Sequence, residues 1–249
     1  MKITGNTVLI AGGTSGIGLE LALRFHQAGN KVIVAGRRRE ALDAIAAEHR
    51  GIETEQFDIT DNASIRRLFE TVTAKHPRLN ALVAMAGIMR PEPVLDSGSL
   101  ETAERTVETN LLGTIRLVHA FAPFLTDRPH AAILTVTSGL AYVPLAATPT
   151  YSATKAAVHS YTESLREQLR ETSVQVIEIA PPLTRTRLMG EGTDNDRAMP
   201  LDEFASEVMG LLESEPEARQ ILVERVKRQR WAEVDGTYDE IFAMQSGRR

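Results

Sequence analysis

The chain has 249 residues, 43% of them hydrophobic and 24% charged, with a net charge of -5 and no cysteine. That is globular composition, long enough for one large α/β domain and unlike a disordered chain. The acidic balance argues against a nucleic-acid binder, and the lack of cysteine removes disulfides, thiol nucleophiles and thiolate metal sites.

Met1–Asn6 leads directly into a strand, with no apolar signal-peptide core. The apolar runs fall short of the ~20 residues that span a bilayer. The expectation is a cytoplasmic protein that does not enter membranes. Strands are predicted at Thr7–Ala11, Lys31–Ala35, Ile52–Phe57, Ala81–Met85, Ala131–Thr137, Val174–Ala180 and Gln220–Val223. Several are apolar nearly throughout, as strands buried on both faces are. Helical periodicity predicts helices at Gly16–Ala28, Arg39–His49, Ala63–His76, Ser99–Leu125, Thr150–Glu171 and Leu201–Ser214. Asp61 and Asp202 are expected as N-caps and Gly29 as a helix stop. The alternation predicts an α/β fold: a single doubly wound Rossmann-type domain over 1–249, with a seven-stranded parallel sheet covered by helices on both faces. Polar, glycine-containing 188–200 breaks the rhythm and is expected to be a substrate lid. A C-terminal extension, 224–249, holds Arg225, Lys227, Arg228 and Arg230 near Trp231 and Tyr238; a solvated helix face with one packed aromatic is expected there.

Between the first strand and first helix runs Gly12-Gly13-Thr14-Ser15-Gly16-Ile17-Gly18. Glycines let backbone turn tightly against a pyrophosphate, and the helix start supplies free N–H groups and partial positive charge. The spacing, G-x-x-x-G-x-G, differs from the commoner G-x-G-x-x-G. After the second strand stand Gly36-Arg37-Arg38-Arg39. NAD sites place an acid there to hold the ribose, whereas NADP sites place arginine near the 2′-phosphate. Arg37 and Arg38 are therefore expected to bind that phosphate, and the cofactor is expected to be NADP(H). Asp58, with Ile59 beside it, follows the third strand and is positioned either to accept from the adenine amino group or to cap a turn, or both.

Ser138 ends an apolar run, and Tyr151 and Lys155 follow in the pattern S-x12-Y-x3-K. Residues i and i+4 share a helix face. A nearby ammonium favours phenolate and lowers the pKa of a phenol, so the pair is suited to proton transfer, with Ser138 holding the substrate oxygen. Taken alone, Y-x-x-x-K also fits an exposed helix pair.

Together these residues resemble the short-chain dehydrogenases/reductases, over nearly the whole chain. The resemblance implies cofactor contacts from Gly12, Gly16, Gly18 and Asp58, and a tetrad of Asn110, Ser138, Tyr151 and Lys155. It implies that Lys155 binds the nicotinamide ribose and that Asn110 holds a water linking Lys155 to solvent. The segment Pro181–Thr186 is similar to the family's nicotinamide loop, with Pro181, Thr184 and Thr186 as contacts. Three departures stand out. The family's N-N-A-G reads Ala84-Met85-Ala86-Gly87, so two side-chain hydrogen-bonders are lost while backbone contacts at Ala86 and Gly87 survive. Pro182 replaces a glycine, and Ala11 a threonine. The double proline, Ser138–Leu145 and L-D-E-F at Leu201–Phe204 are similar to a bacterial subgroup linked to D-alanine esterification of cell-wall polymers.

The function implied is hydride transfer between nicotinamide and a carbonyl or secondary alcohol, with Tyr151 as general acid/base. The alternative is a non-catalytic NADP(H)-binding sensor or scaffold; an isomerase lacks an additional acid/base pair. Leu140, Tyr142, Val143, Pro144, Met89 and Met189 are expected near the nicotinamide, making a pocket for a small, largely apolar substrate. His26, His49, His76, His119, His130 and His159 show no metal-ligand spacing with carboxylates, so no metal is expected. Family members associate through two long helices, implying a homodimer or homotetramer.

Overall fold

The computed structural model describes residues 1–190 and 196–247. Its parallel sheet contains β1 (Thr7–Ala11), β2 (Lys31–Gly36), β3 (Ile52–Gln56), β4 (Ala81–Ala84), β5 (Ala132–Val136), β6 (Gln175–Ile179) and β7 (Gln220–Ile221). The order across the sheet is β3-β2-β1-β4-β5-β6-β7. The direction of winding reverses between β1 and β4, and ligands of such sheets bind at the carboxyl ends of strands beside that point. All seven expected strands form: β1 as expected, β2 one residue longer, and the other five shorter by one or two residues at an end.

Alternate residues of each strand face opposite sides, so one sheet feeds two cores. Val8, Ile10, Val34 and Leu134 pack on one side against α1 (Gly16–Gln27), α2 (Arg39–Glu48) and α7 (Leu201–Ser214). Leu9, Ile33, Leu82 and Ile133 pack on the other against α3 (Asn62–Lys75), α5 (Gly113–Thr126) and α6 (Pro149–Gln168). Leu21 and Phe25 of α1, and Leu117 and Phe121 of α5, are fully buried. Burial of such side chains contributes roughly 1.5–3 kcal/mol each.

Asp61 caps α3 by accepting from the Ala63 amide at 2.8 Å. Gly29 follows α1 with φ 83°, the left-handed residue that stops a helix. Asp202 is not an N-cap. Pro200 takes that position, and Asp202 lies in the first turn of α7, where a carboxylate suits the helix dipole.

The expected long helix 99–125 is interrupted. α4 (Ser99–Val107) passes into a π-helical turn, Glu108–Leu112, before α5 begins. The Gly113 amide donates to the Glu108 carbonyl, five residues back. Beyond the sheet, α8 (Glu224–Arg230) and α9 (Tyr238–Gln245) do more than present a solvated face. Their Ala232 and Ile241 neighbours bury against Val143, while Trp231 is 40% exposed beneath the Arg230 guanidinium. No described helix is long and apolar enough to cross a membrane.

Candidate active site

The glycine turn sits against the end of β4. Gly12 has φ 96°, and a Cβ there would lie 2.6 Å from both N and Cα of Ala86. Glycine is required by both the backbone conformation and the contact. The turn and Ala86-Gly87 thus meet backbone to backbone, a contact that needs no polar side chain at 84 or 85. The Met85 amide reaches the Ala11 carbonyl at 3.1 Å.

α1 opens from this turn with no side-chain cap from Ser15 and no acid in its first turn. Its leading N–H groups are of the kind that binds an anion. Arg38 stands at the start of α2 and reaches Thr14 Oγ1 at 3.4 Å, so its guanidinium flanks the same turn. Arg37 is exposed, and its carbonyl accepts from Gln56 Nε2 at 2.9 Å. Asp58 performs the turn role: its carboxylate accepts from the Thr60 amide and hydroxyl at 2.9 and 2.8 Å. Ile59 is buried against the neighbouring core.

Ser138 directly follows β5 through Thr137. Its hydroxyl accepts from the Leu140 amide at 3.1 Å, starting a 3₁₀ turn over Gly139–Ala141. It also lies close enough to the Tyr151 phenol to favour phenolate. Tyr151 and Lys155 occupy one face of α6 and are 7% and 5% exposed. The Lys155 ammonium lies 5.6 Å from the Tyr151 ring centre and donates to the Val136 carbonyl at 2.7 Å. Burial pushes Tyr151 up to about 12, against the opposing influence of the Ser138 hydroxyl. Burial also brings Lys155 down to about 8. The expected lowering of the phenol is therefore overturned in the chain by itself: desolvation disfavours phenolate more than the neighbours favour it.

Asn110 lies in the π turn, 1% exposed. Its Oδ1 accepts from the Ile88 amide at 2.8 Å, and its Nδ2 donates to the Ile88 carbonyl at 2.9 Å. The side chain thus brackets the loop after β4.

The segment after β6 folds over the glycine turn, bringing the Thr186 methyl to 3.4 Å from where a Gly16 Cβ would stand. Pro181 accepts from the Gly139 amide at 2.8 Å, and Thr184 Oγ1 donates to the Pro182 carbonyl at 3.1 Å. Of the expected lid 188–200, residues 191–195 lie outside the described residues. The neighbouring chain is stitched: Arg185 N donates to Met199 O, and Met199 N to Leu183 O, each at 2.8 Å.

The expected substrate wall divides. Met89 is 7% exposed, and Leu140 and Met189 are partly exposed. Tyr142 belongs elsewhere, because its hydroxyl donates to Glu178 Oε1 at 2.8 Å and its ring meets His159 edge-on. Val143 is fully buried under the C-terminal helices. Sequence reasoning missed Glu178, although an acid inside the apolar run V-I-E-I-A was a visible signal. It also missed Gln229, whose side chain occupies the place a Gly139 Cβ would take, and Gln245, which donates to the Val143 and Pro144 carbonyls. His159, Glu163 and Glu178 converge with ligand atoms within 4.8 Å, a grouping the sequence spacing did not reveal.

Known proteins share this arrangement. Residues 6–197 match the family model for short chain dehydrogenases. A Bacillus subtilis protein named uncharacterized oxidoreductase DltE is 40% identical, over 97% of this chain and 98% of its own. The NADP-dependent 3-hydroxy acid dehydrogenase YdfG of Salmonella typhi is 33% identical over 71% of each chain. A short chain dehydrogenase from Burkholderia cenocepacia, solved in complex with NADP, superposes with a TM-score of 0.83 at 25% identity, covering 98% of this chain and 99% of that one. The sheet order, the glycine turn and these matches agree, and the chain belongs to the short-chain dehydrogenase family of oxidoreductases.

Proposed function

We propose that this protein transfers a hydride between NADP(H) and the carbonyl or secondary alcohol of a small, largely apolar molecule, with Tyr151 as general acid/base. The observation that carries this reading is that Ser138, Tyr151 and Lys155 are brought together and buried, with the Lys155 ammonium beside the phenol ring. When bound, the nicotinamide supplies or receives the hydride. The chain's own residues hold the substrate oxygen and move its proton.

Cofactor binding rests on the uncapped start of α1, the backbone approach at Gly12 and the Arg38 guanidinium beside Thr14. Gly12, Thr14, Ser15, Gly16, Ile17 and Gly18 would receive the pyrophosphate, and Arg37 and Arg38 the 2′-phosphate. Asp58 and Ile59 would meet the adenine. Ala86, Gly87, Pro181, Thr184 and Thr186 would surround the nicotinamide end. Two guanidiniums favour the phosphorylated dinucleotide because they bind phosphate bidentately.

In the reducing direction, Ser138 donates to the carbonyl oxygen and Tyr151 protonates it as negative charge develops. A phenol held at about 12 is protonated at neutral pH, so it enters the reaction as an acid. Lys155 retains its charge through most molecules below about pH 8 and offsets the phenolate left behind. Met89, Leu140 and Met189 exclude water around the reacting carbon. The working unit is a single domain, assembled as a homodimer or homotetramer in the cytoplasm.

Purified protein mixed with NADPH and a panel of ketones and aldehydes should consume NADPH at 340 nm. NADPH binding without turnover across the panel would instead identify a sensor or scaffold.

A further inference from the structure

Glu178 of β6 has no exposed surface and takes no part in the chemistry above. Four donors surround its carboxylate. Oε1 accepts from Thr137 Oγ1 at 2.6 Å and from the Tyr142 hydroxyl at 2.8 Å. Oε2 is 2.8 Å from His159 Nδ1 and accepts from Gln220 Nε2 at 2.8 Å. The network extends outward: Gln220 Nε2 also donates to the Tyr142 hydroxyl at 3.0 Å, and Arg230 Nε to Gln220 Oε1 at 3.1 Å. The Arg230 guanidinium lies 4.9 Å over the Tyr142 ring.

Burying a carboxylate costs several kcal/mol unless donors replace its water. Burial works to raise its pKa, but hydrogen bonds from His159, Thr137 and Gln220, with the His159 charge, hold it at about 2. A carboxylate so fully donated has no acceptor position left for a metal ion, even with Glu163 nearby. The β5–β6 ladder itself is made by backbone groups, with Thr135 opposite Glu178, and does not require a charged side chain.

The origin of the four donors gives this cluster its meaning. Thr137 immediately precedes Ser138, and Tyr142 follows the 3₁₀ turn that Ser138 caps. His159 lies on α6, one helical turn beyond Lys155 and two beyond Tyr151. We propose that Glu178 is a positioning residue: its carboxylate grips the chain on both sides of Ser138 and keeps it in register with the helix bearing Tyr151 and Lys155. This rests on the reading of Ser138 and Tyr151 as the reacting pair. It assigns a strand residue that touches neither substrate nor cofactor to the alignment of the two hydroxyls that exchange the proton with substrate.

Two substitutions test it. Glu178→Gln keeps the size but turns an NH₂ group against donors, and Tyr142→Phe removes one hydroxyl while keeping the ring. The expected result is kcat per NADPH-binding site lowered about 10- to 100-fold in Glu178→Gln, the scale of a misplacement of about 1 Å, and lowered less in Tyr142→Phe. KM and the NADPH dissociation constant should stay within about twofold. Crystal structures of the variants and of wild type should show the distance between the Ser138 and Tyr151 hydroxyls changed. If activity falls only in proportion to the number of binding sites, Glu178 merely stabilises the fold and the proposal is overturned. An unchanged Ser138–Tyr151 distance in the variant crystals overturns it equally. Should Glu178→Gln fail to fold, Tyr142→Phe provides the same comparison. Wild-type protein inactive on every carbonyl counts against the proposed reaction, and the crystal distance then decides the clamp by itself.

Discussion

The Lys155 ammonium donates to the Val136 carbonyl at 2.7 Å, fastening the helix that carries Tyr151 to the strand that leads to Ser138. The same lysine is 5% exposed, and burial brings its pKa from 10.5 down to about 8. The unfolded chain therefore binds more protons between these values, and this group's contribution to stability rises as pH increases from about 8 to 10.5. Below pH 8 the buried charge costs stability. Lys155→Met should consequently melt higher than wild type at pH 7 yet lose turnover, and the difference in melting midpoint should shrink toward pH 10. A variant that melts lower at pH 7 would show that the Val136 hydrogen bond outweighs the cost of burial.

Tyr151→Phe removes the proton carrier while keeping the ring. Turnover should fall by about 10²–10⁴-fold, the usual worth of a positioned acid, while NADPH binding measured by fluorescence stays within about twofold. Retained turnover would require another proton donor.

Arg37→Ala together with Arg38→Ala removes the guanidinium beside Thr14 and its exposed neighbour. Charged hydrogen bonds contribute about 1.5–3 kcal/mol each, so NADPH affinity should fall at least about tenfold. NADH affinity should hardly change. Equal losses for both nucleotides would mean that the arginines organise the turn rather than bind the extra phosphate.

Acid should expose the electrostatics of Glu178. Its folded pKa, about 2, lies below the 4.5 of an ordinary glutamate, so its stabilisation is complete above pH 4.5 and fades as pH falls toward 2. The shift corresponds to roughly 3 kcal/mol in total. Calorimetric melting midpoints should drop between pH 5 and pH 3 in wild type, and less steeply in Glu178→Gln. Parallel slopes would place the acid-sensitive groups elsewhere.

Alanine at two glycines should separate rigid from yielding contacts. At Gly12 a methyl meets the Ala86 backbone at 2.6 Å in a left-handed conformation, which alone costs roughly 1–2 kcal/mol. Gly12→Ala should lower the melting midpoint and weaken NADPH. At Gly139 the obstacle is the mobile end of Gln229, which can swing aside, so Gly139→Ala should cost less stability. Equal losses would indicate that Gln229 is held as firmly as backbone.

Strand and helix periodicity located the sheet and most of its covering helices because those segments bury whole faces, and burial repeats along the chain. The glycine turn and Ser138, Tyr151 and Lys155 were legible for a related reason: their spacing is fixed by one turn or one helix. Asn110 was found, but its bracket on Ile88 was not, since that hydrogen bond joins distant segments. Tyr142 was misplaced because sequence places it close to Ser138 without saying which way its ring points. Short α8 and α9 carry little periodic signal, and their contact with Val143 depends on the folded sheet.

The π turn at Glu108–Leu112 has a consequence for how this chain can vary in length. A single π turn holds one residue more than an α turn, so α4 and α5 keep the phase of a helix one residue shorter. Deleting one residue there should close the turn and leave Leu117 and Phe121 in the core they fill. The cost should fall instead on the widened turn from which Asn110 reaches Ile88: the extra residue serves the loop after β4 rather than the packing of the helix.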